Sequence, residues 1–329
     1  MKRSSFVLTA LAVAVFFAGV LGAQSTIQIV TAGYSFPNPI PVAPGQVITL
    51  FVHGLNAVDA TANTTTLPTM LSGVSVRVKN VIQGYPLLLP IFSIRSYSAN
   101  CSAGMVQFCG STAVTVQIPA EPTCVPSSLP NSCTFGPPPI LTVSVEQNGV
   151  SGQEFQFSIQ GAVQPHILNT CDTIMAQFGS CSPIITHANG HSITDSEPAR
   201  PGETIVLYAV GLGPTMPTVK SGAPAPSPAP VAQFFVPLTV SFELDSPPDS
   251  PAPPALWMPT GKWIKPIFAG LVAGFVGLYQ VNFALPNTVP AQLHRCQGFQ
   301  DTNTRLLLGG GIGDTQMVNV DTADICLQP

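Results

Sequence analysis

At 329 residues the chain is long enough for two domains of ordinary size, and 45% hydrophobic against 8% charged residues excludes a disordered polyelectrolyte. A net charge of -4, with 11 Lys and Arg scattered along the sequence, leaves no basic stripe to follow a nucleic-acid backbone. The 35 prolines and 28 glycines suit many short strands joined by turns and suit long helices poorly.

The chain opens with Lys2 and Arg3, an apolar run from Phe6 to Val20 and a Leu21-Gly22-Ala23 exit. Together these read as a cleaved secretory signal over residues 1–23. The run is short for a bilayer span, and no cysteine follows the exit to carry a lipid. The expectation is an exported chain, secreted or at the cell surface, with no transmembrane segment in its mature part.

A first domain is expected over residues 24–164. Residues 24–33 alternate as a first strand, and Pro44-Gly45 turns into a strand from Val47 to Val52 that Gly54 ends. Asp59 to Thr66 is polar and reads as an exposed loop. Val74 to Val78, Val114 to Ile118, Leu141 to Val145 and Phe155 to Ile159 alternate apolar and polar residues, as half-buried strands do. Asn148-Gly149 joins the last two as a hairpin turn. About seven short strands in such a stretch is the pattern of an immunoglobulin-like β-sandwich.

A second domain is expected over residues 165–329. His166 to Asn169 leads into a small loop, and Ile184 to His187 reads as a strand that turns at Asn189-Gly190. Ala199 to Leu212 then nearly copies Val42 to Leu55: a Pro-Gly turn, a strand and a Gly-Leu exit. Pro214 to Pro230 is structureless by composition, Leu238 to Phe242 alternates, and Pro247 to Pro259 is a second proline-rich insert. Pro266-Ile267-Phe268 repeats Pro90-Ile91-Phe92. The strand Leu278 to Leu285 stops at Pro286 as Val114 to Ile118 stops at Pro119, and a glycine-containing hairpin closes the chain. Four matches in one order argue for two copies of a sandwich domain, giving an all-β chain with little helix.

The eight cysteines agree with export, and their spacing suggests Cys101 with Cys109, Cys124 with Cys133, Cys171 with Cys181, and Cys296 with Cys326. Other connectivities stay open. No Cys-x-x-Cys pair points to zinc.

Three segments resemble the uncharacterised Solibacter-type C-terminal domain of acidobacterial exported proteins. They are Ile185 to Gly190 (Ile-Thr-His-Ala-Asn-Gly), Glu197 to Pro214 and Phe268 to Asn282. The first half is similar to the companion module of those proteins through Val42-Ala-Pro-Gly45, Leu67 to Val76, Val116-Gln-Ile-Pro119 and Asn148-Gly-Val-Ser151. The proline-rich inserts and the cysteine pairs depart from that pattern. The resemblance implies an immunoglobulin-like or IPT/TIG-like sandwich of a secreted or surface protein, and it implies no activity.

Catalytic signatures are missing. There is no Gly-x-Ser-x-Gly elbow and no His-Glu-x-x-His pair, and Gly309 to Gly313 lacks the Lys-Ser/Thr of a phosphate loop. His187 and His191 read as exposed turn histidines, and Asp195, Glu197, Asp245 and Asp249 as solvated loop carboxylates. No cofactor or metal is expected. Trp257 and Trp263, the only tryptophans, sit in or beside the second insert, where aromatic faces can meet a sugar ring or a protein surface. The expected function is therefore a non-enzymatic structural or adhesive role, with a cell-envelope protein or glycan as partner. A carbohydrate-binding protein using Trp257 and Trp263 is the alternative, and a hydrolase with a site in the loops is the second alternative.

Overall fold

In the computed structural model the described residues are 26–35, 40–78, 88–97, 110–120, 140–159, 161–175, 181–234, 236–244, 256–259, 263–296, 302–312 and 316–329. Nineteen strands run through them, with a single 3-10 turn at Thr173–Met175.

The first half holds β1 (Gln28–Gly33), β2 (Val47–His53), β3 (Ala60–Thr61), β4 (Val74–Val78), β5 (Ile91–Tyr97), β6 (Ser111–Gln117), β7 (Ile140–Gln147) and β8 (Val150–Ser158). One sheet runs β1-β2-β6-β5-β3 and the other β4-β7-β8. Every named pairing is antiparallel. The inner faces meet in one core, where Ile48, Leu50 and Val52 of β2 pack with Val76 of β4 and Val143 of β7. This is sheet-on-sheet packing, with alternate residues of each strand turned inward. Asn148 and Gly149 both take positive φ, 50° and 84°, as the two-residue turn between β7 and β8 requires.

The second half repeats this plan. Its strands are β9 (His166–Ile167), β10 (Ile185–His187), β11 (Thr204–Val210), β12 (Thr215–Met216), β13 (Val231–Ala232), β14 (Leu238–Leu244), β15 (Leu256–Pro259), β16 (Phe268–Leu271), β17 (Tyr279–Ala284), β18 (Thr304–Ile312) and β19 (Gln316–Ile325). One sheet runs β10-β11-β17-β16-β13-β12 with β9 beside β11, and the facing sheet runs β15-β14-β18-β19.

The repeat seen in the sequence is also a repeat of register. Leu50 pairs with Val114 and Ile48 with Val116 across β2 and β6. Leu207 pairs with Val281 and Ile205 with Phe283 across β11 and β17. The two Pro-Gly turns match as well, with Gly45 and Gly202 both at φ 77°. Only glycine takes that conformation at low cost, which is why both copies of the motif carry it.

Three segments differ from the sequence expectation. Asp59 to Thr66, expected as an exposed loop, contains the short edge strand β3, which pairs with β5 through Ala60 opposite Ile94 and Thr61 opposite Ser93. Pro214 to Pro230 is not wholly irregular, because β12 at its start pairs with β13 just beyond its end. The end of the second insert is the edge strand β15, paired with β14 through Glu243 opposite Trp257 and Ser241 opposite Pro259. An edge position tolerates proline because one side of the strand needs no ladder donor.

Disulfides join Cys171 to Cys181 and Cys296 to Cys326. The first closes the loop between the halves, and the second ties the loop after β17 to the end of β19. Cys101, Cys109, Cys124 and Cys133 lie outside the described residues. Among the described residues no helix is long and apolar enough to cross a membrane.

Leu50 and Leu207 are fully buried at equivalent places in the two cores. Leu50→Ala and Leu207→Ala are each expected to cost about 2–5 kcal/mol, read as a lower urea midpoint.

Candidate functional site

A sheet in a two-layer sandwich normally buries one face, but all seven residues of β6 and six of seven in β2 are buried. The outward side chains Val47 and Thr49 of β2 and Thr115 and Gln117 of β6 meet the second half and the segment that links the halves, while Phe51 and Ala113 pack with Tyr97 of β5. Val47 packs with Leu168 and Val210, with Tyr34, Tyr208 and Leu278 around them. Thr49 hydrogen-bonds Thr115 at 2.9 Å and also meets Thr173 of the linker. The Gln117 side chain accepts from the Gly222 amide at 2.7 Å. Gly277, at φ 65°, sits so close that a β-carbon there would lie 2.8 Å from Val47 Cγ2.

At one margin of this junction four segments converge on His166. Pairing of β9 with β11 sets His166 opposite Val210. Tyr34 arrives just after β1, Asp172 from the loop closed by Cys171 and Cys181, and Asp321 from β19. His166 Nε2 lies 2.9 Å from Asp172 Oδ2, and Nδ1 lies 3.1 Å from Asp321 Oδ2. The imidazole stacks on the Tyr34 ring, with centroids 3.5 Å apart and planes 9° from parallel. The same carboxylate oxygens accept backbone amides: Ile167 N donates to Asp321 Oδ2 at 2.7 Å and Asn169 N to Asp172 Oδ2 at 2.8 Å.

Two carboxylates facing two ring nitrogens call for an imidazolium, because neutral imidazole has one N–H to give. Burial works to lower the ring's pKa, but the hydrogen bonds to Asp172 and Asp321 outweigh it and raise the value to about 8. The ring is therefore charged at neutral pH, and its place over Tyr34 adds a cation–π contact. Burial pushes the Tyr34 hydroxyl well above its ordinary range, and Gln46 donates to it. Beside the cluster opens a cleft of about 330 Å³, lined by Tyr34, Gln46, Gln164, His166 and Asp321 among others. With both nitrogens committed to carboxylates, His166 is poorly placed to act as a general base on a bound molecule.

The residues singled out in the sequence lie elsewhere. Trp257 is on β15 opposite Glu243, and Trp263 is half-buried just before Ile264, which exchanges hydrogen bonds with Leu238 at the start of β14. That register sets the two tryptophans roughly 13–17 Å apart along β14.

His191 is exposed, 3.3 Å from the exposed Glu197. His187, expected exposed, is half-buried, with Nδ1 3.0 Å from Glu203 Oε1. The cause is its place on β10, which pairs with β11 immediately after Glu203. Asp195 is exposed, and Asp245 and Asp249 lie outside the described residues. Among the described residues no group of three or more His, Cys, Asp or Glu is placed to hold a metal ion. Sequence reasoning missed Tyr34, His166, Asp172 and Asp321 as a group. Its nearest signal was an ionisable His166 ahead of the apolar pair Ile167-Leu168, followed by Asp172 inside a cysteine-bounded loop.

No protein-family model matches the chain, and no curated protein matches it in sequence. Among solved structures it aligns weakly with a glycosyl hydrolase family 2 member from Bacteroides cellulosilyticus DSM 14838, at 9% identity and a TM-score of 0.16. That alignment covers 92% of this chain and 29% of the other. A second family 2 member from Bacteroides cellulosilyticus aligns at 8% identity and a TM-score of 0.17, over 89% of this chain and 25% of that one. This chain thus spans under a third of the length of either protein.

His166 has a folded pKa above its ordinary value of 6.5, so its contribution is complete below about pH 6.5 and is lost as the pH rises through about 8. The difference corresponds to about 2 kcal/mol. Urea titrations of the native chain between pH 6 and 9 are expected to show a loss of that size, and His166→Gln to remove it. Separately, Gly277→Ala is expected to destabilise the chain by about 1–3 kcal/mol, because Val47 and Gln117 leave no room for a methyl group. Calorimetric melting checks the second expectation.

Proposed function

We propose that the chain is an exported, non-enzymatic protein with a structural or adhesive role at the cell surface, its two immunoglobulin-like sandwiches joined into one unit. The observation that carries this reading is the junction. Val47, Thr49 and Gln117, on the outward face of β2 and β6, are held by the linker and the second half, so the halves are built to hold a fixed arrangement. A load-bearing or surface-presenting protein needs such a joint, whereas independent modules on a flexible tether do not.

Export is supported by the charged, then apolar, then small-residue start of the chain and by the two disulfides, which persist in oxidising compartments. The resemblance to acidobacterial exported proteins points the same way. The pairing of the ring nitrogens of His166 with Asp172 and Asp321 favours a structural over a catalytic use of this cluster.

Two measurements test the proposal. N-terminal sequencing of the chain recovered outside the cytoplasm is expected to begin at Gln24, and an intact Met1 would sink the cleaved-signal reading. The oxidised mature chain is expected to sediment with isolated cell envelopes, and Trp257→Ala and Trp263→Ala to leave that retention unchanged. Retention on an insoluble polysaccharide that both substitutions abolish would replace the adhesive reading with carbohydrate binding.

A further inference from the structure

We propose that His166 is a proton-operated latch on the cleft between the two halves: charged, it fastens the linker to β19 and to Tyr34, and neutral, it releases the linker and opens the cleft. The inference rests on the geometry of the junction and not on the adhesive reading.

The charged ring satisfies both carboxylates at once, at 2.9 and 3.1 Å. A neutral ring keeps one N–H, so one nitrogen would face a carboxylate oxygen lone pair to lone pair. That contact is repulsive, and it falls on an oxygen that also holds a backbone amide of the linker, Ile167 or Asn169. Asp172 adds to the asymmetry. The residue is 1% exposed and its Oδ1 has no hydrogen-bond partner. The imidazolium is the cation beside it, and without that charge a buried carboxylate is left uncompensated. Water entry then becomes the favourable outcome, and the adjoining cleft supplies the route, because His166 itself lines it.

The titratable groups facing the ring come from each element packed on it. Asp172 lies in the disulfide-closed loop, Asp321 on β19 and Tyr34 after β1. Tyr34 stays neutral through the relevant range, because burial raises its pKa. The proton on the ring is therefore the variable. The folded value of about 8 places the change between neutral and mildly alkaline pH.

Release is local. Val47, Leu168 and Val210 stay packed, Gln117 keeps the Gly222 amide, and the Cys171–Cys181 bond still closes its loop. The halves stay attached while the linker beside the cleft comes away from β19.

Amide exchange followed by NMR tests this, with the Ile167 and Asn169 amides as reporters and the core amide of Leu207 as reference. Rates are corrected for intrinsic base catalysis between pH 6 and 9.5. In the native chain, protection at both reporters is expected to fall at least tenfold across the range, while Leu207 is unchanged. In His166→Gln, protection is expected to show no such step. In Asp321→Asn the step is expected to move to lower pH, because one of the two carboxylates that hold the proton has lost its charge. Flat protection in the native chain, or an equal step in His166→Gln, would overturn the proposal. If His166→Gln does not fold, an unmoved midpoint in Asp321→Asn overturns it instead.

Discussion

Burial of one sheet on both of its faces is the constraint on which the rest of this molecule depends. The inner residues of β2 and β6 fill the first core, as in any sandwich. Their outer residues would be half exposed in an isolated module, and here they are covered. The linker must run over them, the second half must present Val210, Tyr208 and Leu278 towards them, and close approaches such as that of Gly277 follow. The uncharged polar side chains Thr49, Thr115 and Gln117 suit this place. Each finds a hydrogen-bond partner within the junction, so burial leaves none of them unsatisfied.

The charged cluster belongs to the same constraint. Once the linker is held down by its apolar residues, His166, Asp172 and Tyr34 are brought together at its margin, and β19 adds Asp321. Two carboxylates and one imidazolium leave a net negative charge beside a cleft. Their hydrogen bonds to Ile167 and Asn169 mean that the charge state of one ring is felt by the backbone around it.

Much of the fold was legible in the sequence because it rests on local rules. Pro-Gly turns, the Asn148-Gly149 hairpin and two-residue alternation act over a few residues and appear where those rules put them. The repeated motif carried register as well, since Ile48 and Leu50 in one half and Ile205 and Leu207 in the other hold equivalent places. The edge strand β15 was hidden by its setting, because a proline-rich composition masks a short pairing whose partner is fixed by tertiary contact. The junction was hidden for a stronger reason. His166 and Asp321 lie 155 residues apart and share no motif, and nothing local to Val47 or Thr49 says what will cover them. The nearly unbroken apolar run of β2 was the trace of double burial, but the covering partner is a property of the assembled chain.

The close copying of the two halves has a consequence for folding. Tandem modules of like sequence can exchange equivalent strands before either is complete, a route to misassembly. Of the inward residues of β2 and β11, isoleucine stands for isoleucine and leucine for leucine, and only the pair Val52 and Ala209 differs in size. The outward residues discriminate further. Val47 and Thr49 on β2 answer to Thr204 and Val206 on β11, and His53 answers to Val210. Apolar and polar residues have traded places, so a strand inserted in the wrong half would bury a hydroxyl where a methyl group belongs. The joint between the sandwiches thus also works as an address that tells each strand which half is its own.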